Sequence, residues 1–152
     1  MIEFLNDLQN YIAKAFKDDA DITVDVPVFL QYMQAHKIGN EIQIMGLDCS
    51  TDTAYESYES ENIAYVPVQI VPVTSKQVIG GKQHNAQTSA LAYSAKIKEL
   101  LEKTHAAGWN KNIMRISRVG MDFSVPYESG SSFYVAPMRF DVYVRTPYER
   151  VS

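Results

Sequence analysis

The chain has 152 residues, 46% apolar and 21% charged, with a formal net charge of −4. That size and composition suit one folded domain, residues 1–152, with a core of its own. The lone Cys49 excludes an internal disulfide. The longest apolar stretch, AYVPVQIVPV at 64–73, is too short and too rich in proline to cross a bilayer. The opening MIEFLND carries acids where a secretory signal would carry bases, so a soluble, intracellular protein is expected.

The net charge hides a split. Residues 1–75 hold three bases (Lys14, Lys17, Lys37) and twelve acids, whereas residues 76–152 hold eleven bases and six acids. Phosphate binding needs clustered positive charge, so a uniformly basic DNA-binding domain is not expected. Complementary halves suit attraction between subunits instead.

In chain order, Ile2, Leu5, Leu8, Ile12 and Phe16 fall at three- and four-residue spacings and predict an amphipathic helix over 2–17, widened by Phe4, Tyr11 and Ala15. The cluster DDAD at 18–21 ends it. Ile22, Val24, Val26 and Val28 then alternate with polar residues, the pattern of a half-buried strand that Pro27 confines to an edge or an end. Residues 29–40 fit a short helix or a loop. EIQIMGLD at 41–48 predicts a second strand with Ile42 and Ile44 on one face. A long acidic loop at about 48–62 follows, and IAYVPVQIVPV at 63–73 predicts a third strand. Pro67 and Pro72 cannot donate ladder hydrogen bonds, so at least one free edge is expected there.

SKQVIGGKQHN at 75–85 reads as a connector, with IGGK as a flexible loop. The next stretch, AQTSALAYSAKIKELLEKTHAAG, predicts the clearest helix of the chain. Ala90, Tyr93, Ser94, Ile97, Leu100, Leu101 and Thr104 share a face, Asn85 or Thr88 caps the start, and Gly108 follows the end. The last third predicts an antiparallel hairpin: NIMRISRVGMDFSVPYE, a turn at Ser129-Gly130-Ser131, then SFYVAPMRFDVYVRT. In its final strand Met138, Phe140, Val142 and Val144 alternate with Arg139, Asp141, Tyr143 and Arg145. The expected fold class is α+β: a mainly antiparallel sheet of about five strands with two helices packed on one face.

Chemistry is sparse. His36, His84 and His105 lie in three different predicted elements without metal-ligand spacing. Cys49, a lone cysteine, reads as a passive residue rather than a thiol nucleophile, and IGGK lacks the spacing and the Ser or Thr of a phosphate-binding loop. Asp48, Asp52 and Glu56 are spaced by four and would share a helical face. Without the glycine and alternating ligands of a calcium loop, a long solvated loop is the better reading than a divalent-ion site. No catalytic, cofactor-binding or metal residue is assigned, and no enzyme is expected.

The element order carries more. A starting helix, strands, a long polar tract, a strand YVPVQIVPV, a central helix ALAYSAKIKELL and a closing hairpin ending MRFDVYVRT resemble the tail terminator and tail-completion proteins of long-tailed bacteriophages and prophages, along with the related minor capsid and head–tail joining proteins. The resemblance implies a structural protein without active site or cofactor. It implies a homo-oligomeric ring, commonly a hexamer, that caps the tail tube and docks to the head connector while DNA passes through the lumen without specific binding. It places the chain in the virion tail, and in the host cytoplasm during assembly, with no membrane contact. The alternative is a host α+β binding module for a small molecule or protein. In a ring, the acids of 48–62 are expected to face the lumen or a neighbouring subunit.

Overall fold

A computed structural model describes residues 2–30, 37–47, 63–103, 108–120 and 123–151. The acidic loop at 48–62, with Cys49, Asp48, Asp52 and Glu56, lies outside the described residues, as do His36, His105 and Thr104.

Helix α1 (Ile2–Lys17) buries Phe4, Leu5, Leu8, Ile12 and Phe16 as its periodicity requires. Ile2, the first member of the predicted stripe, is exposed, and Asp7 is buried in its place. Over 22–28 the predicted alternation matches burial, with Ile22, Val24 and Val26 half-buried between exposed neighbours, but not pairing. Ile22 makes a single bridge to Ile79, and the strand proper, β1, is Val28–Leu30. β1 runs parallel to β2 (Glu41–Gly46), which turns Ile42 and Ile44 into the core.

β3 (Ile63–Thr74) is central, contrary to the free edge its prolines suggested. It pairs antiparallel with β2 on one side and with β8 and β9 on the other. Each proline stands where the neighbour on its own side gives out. A residue's N–H and C=O point to the same side of a strand. The Pro67 carbonyl accepts from Leu47 N at 2.9 Å, just past the end of β2. The Pro72 carbonyl accepts from Ala136 N at 3.2 Å, in the break between β8 and β9. The missing donors therefore fall at gaps rather than inside a ladder.

The predicted connector is a hairpin: β4 (Gln77–Ile79) pairs with β5 (Lys82–His84). Gly80 and Gly81 turn it with φ of 59° and 79°, the positive values a two-residue hairpin turn demands. Helix α2 (Ala86–Lys98) starts at Asn85, whose side chain accepts from Thr88 N at 2.8 Å. It buries Ala90, Tyr93, Ser94 and Ile97. A π-helical turn, Glu99–Lys103, continues it and buries Leu101.

The closing hairpin accounts for the strand count. Among the described residues the sheet has seven strands rather than about five. One arm breaks at Gly120, with φ of 102°, into β6 (Ile113–Val119) and β7 (Val125–Pro126). The other breaks at Ala136-Pro137 into β8 (Tyr134–Val135) and β9 (Met138–Arg145). Across the sheet β1, β2, β3, β9 and β6 lie in that order. Phe140, Val142 and Val144 are fully buried, and one hydrophobic cluster joins them to Ile42, Val66 and Ile70 and to the inner faces of both helices. Both helices thus lie on one face of a mostly antiparallel α+β sheet, as expected.

Asn110, Asn112 and the C-terminal segment tie the far end of this layer together. Tyr148 Oη donates to Asp7 Oδ2 at 2.6 Å and accepts from Asn110 Nδ2 at 2.7 Å. Val151 N also donates to Asp7 Oδ2, at 3.2 Å. Asn112 clasps the backbone of Glu149, donating to its carbonyl and accepting from its N–H.

Candidate interaction surface

Side chains alternate across a strand, so the residues that stud the core on β3 and β9 leave their odd-numbered neighbours on the opposite face. No described helix covers that face. It is closed at one end, where Val71, Val73 and Glu41 are buried, and open at the other. The Glu41 carboxylate, 1% exposed, accepts from Gly39 N at 3.1 Å and from Gln43 Nε2 at 3.0 Å.

At the open end the register sets Arg115 opposite Tyr143 and Tyr143 opposite Tyr65, a row running from β6 across β9 to β3. The two tyrosine rings lie 5.2 Å apart, and the Arg115 guanidinium sits 5.7 Å from the Tyr143 ring centre, within cation–π range. Tyr65 donates to Asp141 Oδ1 at 2.9 Å, and Arg139 donates to Tyr65 Oη at 3.0 Å and to Asp141 at 3.3 Å. Burial, and then the hydrogen bond to Asp141, hold the Tyr65 phenol above its ordinary pKa. Arg145 completes the basic set opposite Ile63.

A bulge between Ile113 and Arg115 throws Met114 outward, where it is 48% exposed. Met114, Ile63, Arg115 and Tyr143 line a recess of about 250 Å³. The surface therefore combines aromatic faces, three arginines and a shallow apolar recess, the residue types enriched at protein contacts.

The helix side differs. Asp18, Asp19, Asp21 and Asp25 follow α1 on the way to β1, with Asp18, Asp21 and Asp25 exposed. Asp19 accepts from Lys96 Nζ of α2 at 2.9 Å, and Lys96 also lies 5.4 Å from the Phe16 ring centre. The Lys96 hydrogen bond holds the Asp19 carboxyl below its ordinary pKa. Asp19, Asp21, Lys96, Glu99, Ile22 and Ile79 contribute to the walls of a cavity of about 370 Å³ between the segment that follows α1, β4 and α2.

Among the described residues, no group of three or more His, Cys, Asp or Glu is placed to hold a metal. His84 is half-buried at the end of β5, opposite Gln77. The last strand's polar alternates were visible in sequence as Arg139, Asp141, Tyr143 and Arg145. Their assembly with Tyr65 and Arg115 was not, because it depends on which strands flank β9. No protein-family model and no curated protein matches the chain. No helix among the described residues is long and apolar enough to cross a membrane.

Proposed function

We propose that the chain is a structural subunit of a phage or prophage tail, a tail terminator or head–tail joining protein that works as a homo-oligomeric ring on the tail tube. The observation that carries this reading is the sheet face left open by the helices, with Tyr65, Tyr143, Arg115, Arg139 and Arg145 across three adjoining strands. Such a face is suited to docking rather than to turnover. Tyrosine and arginine bury large contact areas while keeping a polar tip satisfied, and they dominate the energetics of interfaces. Its role is mechanical: partners are the other subunits, the tube and the head connector, with DNA passing through the lumen.

Native mass measurement and negative-stain electron microscopy, alone and with a tail-tube protein of the same genome, test the reading. Closed rings of six copies are expected. A chain that stays monomeric at high concentration and also on its tube overturns it. The recess beside Tyr143 favours a second reading, a host α+β module that binds a small molecule or a protein. A monomer or dimer that takes up such a ligand there would support that reading instead.

A further inference from the structure

The open face is basic, the helix side carries an acidic ledge, and the fold keeps the two apart. On the face, among the described residues, Arg115, Arg139 and Arg145 outnumber the carboxylates near them: Asp141, which Arg139 engages at 3.3 Å, and Glu149, which Lys111 holds and whose pKa Arg145 helps to lower. On the ledge, Lys14 lies 3.6 Å from Asp18 and Lys96 lies 2.9 Å from Asp19, while Asp21 and Asp25 extend exposed carboxylates.

The arginines project from the side of the sheet away from the helices. The ledge continues α1, whose Phe16 is buried in the core on the other side. Its Asp25 end lies toward the β1 edge, three residues before Val28, whereas the Asp21 carbonyl accepts from Gly80 N of the β4–β5 turn at 3.0 Å. From β1 there are three strand spacings to β9, which carries Arg139 and Arg145, and four to β6, which carries Arg115, roughly 14 and 19 Å at about 4.8 Å each. Both exceed the screening length at physiological salt, about 8 Å. Within one chain the two patches are therefore largely screened from each other.

We propose that they meet between copies: the Arg115–Arg145 face of one subunit docks on the Asp21–Asp25 ledge of the next. This inference rests on the ring reading and names its contact. Two different patches on opposite sides of a subunit make a heterologous, head-to-tail contact, which closes into a ring when the rotation permits. Tyr65 and Tyr143 supply the apolar area beneath the charges, and the apolar walls of the cavity beside Asp21, Ile22 and Ile79, receive it.

The test is a reciprocal charge exchange. One variant carries Arg115→Glu and Arg145→Glu, the other Asp21→Lys and Asp25→Lys, and circular dichroism checks that both fold. In sedimentation velocity at low salt, each variant alone is expected to associate at least about tenfold more weakly than the natural chain. An equimolar mixture is expected to regain association, because every face then meets a ledge of opposite sign. Should a reversal variant unfold, the milder Arg115→Gln, Arg145→Gln and Asp21→Asn, Asp25→Asn pairs are each expected to weaken association. The natural chain should also dissociate in 1 M salt, where the screening length falls to about 3 Å.

Variants that assemble like the natural chain overturn the contact and leave the ring reading standing. A mixture that fails to recover overturns it too, as does a natural chain that does not associate at low salt. Recovered assemblies that are open chains under the microscope keep the contact and remove the ring.

Discussion

Replacing Tyr148 by Phe removes one oxygen and leaves the ring, which packs edge-on against Phe4 at 6.3 Å and 80°. The lost hydroxyl donates to Asp7 at 2.6 Å and accepts from Asn110 at 2.7 Å. Both partners are nearly sealed from water, Asp7 at 5% and Asn110 at 2% exposure, so solvent cannot simply replace the bond. A hydrogen bond to a charged group contributes about 1.5–3 kcal/mol, and a buried donor left without its partner costs about 1–3 kcal/mol more. Val151 N keeps one bond to Asp7 at 3.2 Å, which places the expectation near 3 kcal/mol. For a chain of this length each kcal/mol moves the midpoint by about 2–4 °C, so thermal unfolding should fall by about 6–12 °C. Urea titration supplies the free energy, and a double-mutant cycle with Asp7→Asn isolates the shared term. A loss under about 0.5 kcal/mol, or full additivity with Asp7→Asn, would refute the claim that this clasp holds the C-terminal segment to α1.

Three further outcomes follow from single sites. Burial pushes the Tyr93 phenol up to about 12 from an ordinary 10.0. The folded state thus resists its ionisation: stability is intact below pH 10 and declines from there to about pH 12, and Tyr93→Phe should flatten that decline in alkaline denaturation curves. Asp19 has the opposite sign, its pKa lowered beneath 3.8 chiefly by the Lys96 hydrogen bond. Its contribution is therefore present above that value and lost as pH falls through the lower folded value, so the stability gap between the natural chain and Asp19→Asn should close in acid. Asn85→Ala removes the acceptor for Thr88 N and should cost about 1 kcal/mol, read as a lower urea midpoint with an unchanged slope.

Periodicity and cap chemistry carried the elements whose signal is local. The stripe of α1, the cap and inner face of α2, and the strict alternation of 138–145 all describe contacts of a segment with one uniform environment. Asp7 escaped because its burial depends on Tyr148 and Val151, which are distant in sequence and reach it only after the chain closes. The prolines of β3 point to at least one free edge, because proline lacks a donor. Its central place is possible only because β2 ends beside Pro67 and the β8–β9 arm breaks beside Pro72, facts that belong to the neighbours. In sequence the segment 75–85 looks like a connector, because three-residue strands leave no periodic signature. Its two glycines were the one clue to the turn between them.

The candidate surface divides in the same way. The charge imbalance between the halves, the absence of a metal or nucleophile motif, and the Arg, Asp, Tyr, Arg alternation of the last strand were all determined by sequence, because composition and period need no partner. Which side of the sheet the helices would cover was not. Strand order alone set Tyr65 and Arg115 on either side of Tyr143. The crossing of α1 and α2 over the other face then left the arginines open and the acids of 18–25 on the far side. Charge is a property of residues, whereas its separation into two opposed patches is a property of the packed layers.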